Sequence, residues 1–238
     1  TFDFNNYEIN LSTRPEKSIG SEAVWDLATK GLTEALERKG WNYKIDEGGG
    51  AFYGPKIDLK IEDAIGRMWQ CSTIQLDFNL PERFGLDYVA ADGSKQQPIM
   101  IHRAIFGSLE RFFGIMTENY AGDFPFWLAP EQIRLLPVTD DVQPYAEQLL
   151  DQLKTAGIRA TIDQSGDRLG KIIRTGEQMK IPVLAVIGAK EAEQNAVSLR
   201  SRRDGDLGVT SVDALLNAAK WANTERQPGL DLKLGVNP

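Results

Sequence analysis

The sequence predicts an α/β (α+β) chain in two parts. An antiparallel-sheet unit spans residues 1–128, a three-layer α/β domain with a mixed, largely parallel sheet spans 129–226, and a tail runs from 227 to 238. Three observations predict this. "KIDLKIED" alternates strictly, with Ile57, Leu59 and Ile61 on one face and Lys56, Asp58 and Lys60 on the other, the pattern of a half-buried antiparallel strand. "FPFWLAPEQ", where two prolines frame an aromatic segment, reads as a boundary. Beyond it, strand patterns alternate with helical ones over about 95 residues, an ordinary domain size.

In the first part, "YEINLS" is a short strand. "SEAVWDLATKGLTEALERKG" is a helix whose Val24, Ala28, Leu32 and Ala35/Leu36 form one apolar stripe, capped by Ser21 and stopped by Gly40. "EGGGAFYGP" is a loop, "MWQCSTIQLDF" a longer strand, and "VAADGSKQQP" a turn-rich connection. "PIMIHRAI" is expected as a buried strand broken by Gly107. Ser108 then caps a helix carrying Leu109, Phe112, Phe113, Met116 and Tyr120. In the second part, "IRLLPVT", "IRATID" and "PVLAVIG" are strands. "DVQPYAEQLLDQLKTAG", with Pro144 near its first turn, and "DRLGKIIRTGEQMK" are helices. "AVSLRSRRDGDLGVTS" gives strands around an Asp-Gly turn, "SVDALLNAAKWANTE" a closing helix, and "RQPGLDLKLGVNP" a loosely held tail.

Composition excludes several classes of function. No apolar stretch approaches the roughly 20 residues that cross a bilayer, so no membrane role is expected. The single cysteine, Cys71, has no disulfide partner, and a reducing, cytoplasmic setting is expected. The formal net charge of −7 argues at first against a polyanionic partner. Between Arg159 and Arg203, however, nine basic residues face five acids, a local excess of about +4, which fits either a solvated face or an RNA contact. "DEGGGAFYG" lacks the Gly-Lys-Ser/Thr ending of a phosphate loop. His102 and Cys71 are too few for a zinc site within the chain, which needs three or four donors. A lone histidine on an apolar strand is ordinarily a packed, hydrogen-bonded residue. Arg111, in the first turn of a helix with an aromatic stripe, suits either a phosphate or a surface ion pair with Glu110 or Asp123.

Three long stretches, "LSTRPEKSIGSEAVWD", "GAFYGPKIDLKIEDAIGRMWQCSTIQLDFNLPERF" and "IMIHRAIFGSLERFFGIMTENYAGDFPFWLAP", resemble the later part of the catalytic domain of threonyl-tRNA synthetases. "VTDDVQPYAEQLLDQLKTAGIRATIDQSGDRLGKIIR" through "VSLRSRRDGDLG" is similar to their anticodon-binding domain. The resemblance covers all but about the last dozen residues, and "GSLERF", within 102–113, resembles the third class II signature. It implies that Arg111 contacts the ATP phosphates, with Gly107 and Ser108 against the nucleotide. Tyr53, Lys56, Gln70, Thr73 and Gln75 match positions lining the pocket for threonine, adenylate and the tRNA end. His102 matches one of three ligands of a catalytic zinc that holds threonine's amino group and hydroxyl, so valine, lacking the hydroxyl, is rejected. Strand parity sets Gln70 on the face opposite Thr73 and Gln75 unless a bulge intervenes.

In the second domain the resemblance implies anticodon contacts from Arg174, Glu191 and Arg200, with Arg168 as a further contact to phosphate or base. Gly166 stands where some relatives carry a polar side chain. The implied activity is ATP- and Mg-dependent activation of threonine to threonyl-adenylate, then transfer to the 3′ end of threonine tRNA by a homodimeric enzyme. The first two signatures and the other zinc ligands are expected to lie upstream of Thr1, which makes this a partial chain expected to be inactive alone. The alternatives are a non-catalytic tRNA-binding paralogue and another class II synthetase, for proline, histidine or glycine.

Overall fold

The computed structural model describes residues 1–233, and the chain divides into two compact units, Phe2–Asn119 and Tyr120–Pro238 with Thr1. In the first unit β1 (Tyr7–Ser12), β2 (Lys44–Asp46), β3 (Lys56–Glu62), β4 (Met68–Asp77) and β7 (Met100–Ala104) form one sheet in the order β2-β1-β3-β4-β7. Every pair in it is antiparallel except β1 with β2. Between β4 and β7 lie the short helix α2 (Asn79–Arg83) and a separate ribbon of β5 (Tyr88–Val89) with β6 (Lys95–Gln96).

Helix α1 (Glu22–Lys39) begins and ends where its caps dictate. Ser21 accepts the Val24 N–H at its start, and Gly40, at φ 64°, turns its N–H back to the last carbonyls. Its buried stripe is Trp25, Ala28, Leu32 and Leu36, laid on Ile9, Leu11, Ile57 and Phe78 of the sheet side. Trp25 anchors the stripe in place of the expected Val24. The indole reaches deeper and donates to the Ile19 carbonyl at 2.7 Å, so its one polar atom is satisfied. Burial of each of the two leucines contributes about 1.5–3 kcal/mol. Because α1 takes the Ile57/Leu59 face, the Lys56/Asp58 face is left on the other side of the sheet. Helix α3 (Leu109–Asn119) packs through Phe112 on Phe2, Phe4 and Phe106.

The expectation that "PIMIHRAI" is a buried strand does not hold. β7 is the sheet's edge, with Ile101 and Ile105 largely exposed. A continuous apolar run cannot by itself tell an edge strand from a central one.

The second unit contains β8 (Ile133–Pro137), α4 (Gln143–Thr155), β9 (Ala160–Ile162), α5 (Leu169–Gln178), β10 (Val183–Ile187), α6 (Ala189–Glu193), β11 (Ala196–Ser201), β12 (Gly205–Ser211) and α7 (Val212–Thr224). Its sheet runs β12-β11-β10-β8-β9, with β9, β8 and β10 parallel and β11 and β12 antiparallel, the mixed arrangement expected. One face packs on α4 and α7 through Leu149, Leu153, Leu215 and Ala219, and the other on α5 through Ile172 against Leu136 and Leu184. Phe126, ahead of residue 129, is fully buried in this core. The tail is held more firmly than its composition suggests. The Phe126 N–H donates to the Pro228 carbonyl at 3.0 Å, and Leu230 and Leu232 pack on the same core. Residues 234–238 of the expected tail lie outside the described residues.

Candidate functional site

Register brings the predicted pocket residues to one sheet face. Lys56 on β3 stands opposite Gln75 on β4, and Asp58 opposite Thr73. Gln75 in turn stands opposite His102 on β7. The bulge that parity required is present. Leu59 pairs with Ser72 but Lys60 with Gln70, so Cys71 is the extra residue, and Gln70 rotates onto the face of Thr73.

The side chains on this face are tied together. Tyr53 donates its hydroxyl to Gln75 Oε1 at 3.0 Å. Asp58 Oδ1 accepts from Gln70 Nε2 and from Thr73 Oγ1, each at 2.6 Å, and Oδ2 accepts from Lys56 Nζ at 2.5 Å. The strand alternation set Asp58 on a solvated face, but it is only 3% exposed. His102 Nε2 lies 2.8 Å from Asp77 Oδ2, whose other oxygen accepts the Asn79 and Leu80 N–H groups at the start of α2. Burial works to raise the Asp77 pKa, but the His102 bond and those two N–H groups outweigh it and hold the carboxyl below its ordinary value. A carboxylate only accepts, so Nε2 is the donor in this bond.

The turn after β7 closes on the bulge. Gly107 has φ +72°, and a Cβ there would lie 3.1 Å from the Gln70 carbonyl oxygen, so both the backbone angle and the close approach call for glycine. Ser108 Oγ accepts the Arg111 N–H at 3.1 Å, the predicted cap. The Arg111 guanidinium donates to the Gln70 carbonyl at 3.0 Å and lies 5.6 Å from the Trp69 ring, with Arg67 at 5.4 Å from the same ring. Trp69 in turn donates to Asp63 Oδ2 at 2.8 Å. Burial works to raise the Asp63 pKa, but the bonds from Trp69 and Arg67 outweigh it and hold the carboxyl well below the usual range. Neither predicted ion pair of Arg111, with Glu110 or Asp123, is among the salt bridges of the described residues.

Cys71 is buried, and burial pushes its thiol up, with Arg111 opposing in part, so it is an inert packed thiol. Among the described residues no group of three or more His, Cys, Asp or Glu side chains comes together to hold a metal. His102, with Asp77 behind it, is therefore a single donor, and this chain alone does not fit a zinc ion.

In the second unit Arg168 and Arg174 are exposed, at the N-terminal cap position and on the body of α5. Arg200 on β11 pairs with Leu184, which packs on α5, so it projects from that face of the sheet. Its Nε is buried without a hydrogen-bond partner. Glu191 is already engaged, because its carboxylate accepts the Gly188 N–H at 3.1 Å and caps α6. Gly166 has φ +68°.

Several cations of the basic segment are already held by internal partners. Arg159 binds the Ala129 and Trp127 carbonyls, Arg202 binds Asp123 and the Glu177 carbonyl, Lys180 binds the Ala121 carbonyl, and Lys171 pairs with Asp167. The two carboxylates that organise the first unit's site, Asp58 and Asp77, escaped the sequence reading. The one available signal for Asp58 was an acid between two lysines on a strand whose partner carries Gln and Thr.

The chain matches two family models: the tRNA synthetase class II core domain (G, H, P, S and T) over residues 2–120, and the anticodon binding domain over residues 132–220. It is 94% identical over its whole length to a threonine–tRNA ligase of a Synechococcus species, of which it covers 38%. It is 58% identical over 216 residues, 91% of the chain, to a chloroplastic/mitochondrial threonine–tRNA ligase of Arabidopsis thaliana, of which it covers 33%. The solved RNA binding domain of threonyl-tRNA synthetase from Cryptosporidium parvum superposes with a TM-score of 0.84 at 35% identity, over 95% of this chain and 56% of that one. The chain thus spans little more than a third of the length of its curated relatives. With a core domain followed by an anticodon-binding domain, and similarity along its own whole length to part of threonine–tRNA ligases, this chain belongs to the class II aminoacyl-tRNA synthetase family.

Proposed function

We propose that this chain supplies the later catalytic portion and the anticodon reader of a threonine–tRNA ligase. The observation that carries this reading is the shared face of Tyr53, Lys56, Gln70, Thr73, Gln75 and His102, with Arg111 beside it at the bulge. In the reaction the threonine carboxylate attacks the α-phosphorus of Mg-bound ATP and pyrophosphate leaves. A hydroxyl of the tRNA's 3′-terminal ribose then attacks the adenylate carbonyl and AMP leaves. These residues contribute positioning and charge neutralisation. The Arg111 guanidinium, exposed and fixed on one side by the Gln70 carbonyl, has further N–H groups for phosphate oxygens. Gln75 and Tyr53 present a polar pair to the amino acid or adenylate, and Lys56, Gln70 and Thr73 share that sheet face.

His102 is proposed as one zinc donor in the whole enzyme, a role that needs donors beyond those of this chain. Arg168, Arg174, Glu191 and Arg200 are proposed to meet the anticodon of threonine tRNA. The placement of Arg200 on the α5 side of the sheet, with Arg168 and Arg174 exposed on α5, supports this. Glu191 would meet RNA only with the oxygen its cap leaves over. The whole enzyme is proposed to be a cytoplasmic homodimer. No helix among the described residues is long and apolar enough to cross a membrane.

Threonine-dependent ATP–pyrophosphate exchange tests the catalytic half. The full-length ligase containing these residues is expected to be active, and this 238-residue chain alone to run at background, because it carries one zinc donor and part of the ATP site. Exchange by the chain alone at the full-length rate would refute the assignment.

A further inference from the structure

We propose that Asp58 is a positioning residue of the aminoacylation site, fixing Lys56, Gln70 and Thr73 from behind rather than meeting substrate itself. The inference rests on the reading of those three side chains given above. Their amine, amide and hydroxyl come from both sides of the β3–β4 ladder and converge on one carboxylate. The Asp58 side chain is 4% exposed. With three donors on its two oxygens it presents no open face, so its influence passes through its partners. Gln70 and Thr73 also bond each other at 2.9 Å, which closes a triangle on Oδ1.

The bulge explains why such a hub is required. An extra residue at Cys71 turns Gln70 onto the site face but leaves a long, three-torsion side chain free to choose among rotamers. The Asp58 bond selects one. Gln70 is also the residue whose carbonyl receives Arg111 and against which Gly107 closes. One residue thus touches the phosphate-side arginine through its backbone and Asp58 through its side chain. Loss of the carboxylate charge is expected to disturb both ends of the site. Asp58→Asn turns one acceptor oxygen into an NH2 donor that faces either the Lys56 ammonium or the Gln70 and Thr73 donors.

The test uses the full-length ligase with Asp58→Asn, Asp58→Glu, Gln70→Ala and the Asp58→Asn/Gln70→Ala double variant. Threonine-dependent pyrophosphate exchange is measured beside binding of the threonine anticodon stem-loop. Expected is a fall of about 10- to 100-fold in exchange for Asp58→Asn, the scale on which misplacement of about an ångström acts. Stem-loop affinity should stay within about twofold, Asp58→Glu should recover most of the rate by keeping the charge, and the double variant should fall short of the product of the singles. Exchange by Asp58→Asn within about twofold of the parent, while Gln70→Ala is impaired, would overturn the inference and leave the pocket reading standing. An unimpaired Gln70→Ala would overturn both. Should Asp58→Asn fail to fold, an Asp58→Glu variant that folds but exchanges no better than Gln70→Ala overturns the inference as well.

Discussion

Arg111→Ala in the full-length ligase is expected to lower threonine-dependent pyrophosphate exchange by about 10²- to 10³-fold, the usual cost of removing one charge-stabilising donor from an active site. The expectation follows from how the arginine is held. Its backbone is placed by the Ser108 cap, and its guanidinium by the Gln70 carbonyl at 3.0 Å and the Trp69 ring at 5.6 Å. Trp69 is itself fixed by Asp63 at 2.8 Å, so the platform beneath the guanidinium is built before any ligand arrives. Arg111 is exposed, and one hydrogen bond leaves further N–H groups of its fork to donate. An exposed side chain contributes little to the fold, so the melting temperature should barely move. Arg111→Lys keeps a charge but loses the planar fork, and should recover only part of the rate. An unchanged kcat/KM for ATP in Arg111→Ala would remove this residue from the phosphate site.

Gly54→Ala is expected to be the most damaging of the small substitutions to stability. A Cβ at position 54 would lie 1.9 Å from the Leu76 carbonyl oxygen and 2.7 Å from its carbon, both backbone atoms of β4. The neighbouring backbone cannot step aside cheaply, because Leu76 N–H donates to the Pro55 carbonyl and Phe78 N–H to that of Tyr53. Overpacking of this kind costs about 1–3 kcal/mol or more, a drop on the order of 10 °C in melting temperature for a unit of this size. It should also displace Tyr53 and Lys56, which flank the glycine and reach the site. Gly114→Ala is the matched control. That glycine is inside α3 with nothing near its would-be Cβ, so the same chemical change should stabilise by about 0.5–1 kcal/mol. Equal melting shifts for the two would contradict the packing argument.

Local chemistry made much of the architecture legible. Ser21 and Gly40 bound α1 because capping is a matter of a few neighbouring residues, and the second unit's alternation of strands and helices leaves few other arrangements. Non-local packing decided what the pattern could not. Trp25 rather than Val24 anchors α1, and β7 lies at an edge, because both depend on what the opposite element presents. Leu230 and Leu232 fasten the tail from a segment rich in turn formers.

The site divides in the same way. Arg111 and Ser108 could be placed from the turn and helix they occupy. Gln70 needed the bulge at Cys71, which parity could demand but not locate. Asp58 and Asp77 read as ordinary strand acids until the fold closed donors around them. The basic segment is only partly legible for the converse reason, since sequence counts charges without seeing that Arg159 and Arg202 are already bound within their own domain while Arg168 and Arg174 stay exposed.

Binding of this chain to the anticodon stem-loop of threonine tRNA, beside a loop with one anticodon base exchanged, at one fixed moderate salt concentration, tests the central claim most directly. The account predicts a clear preference for the native loop, lost in Arg200→Ala, which removes the side chain on the α5 side of the sheet. Equal affinity for both loops, unchanged by Arg200→Ala and falling only with added salt, would mean that the domain reads backbone charge alone. That result would contradict the assignment of Arg174, Glu191 and Arg200 to the anticodon.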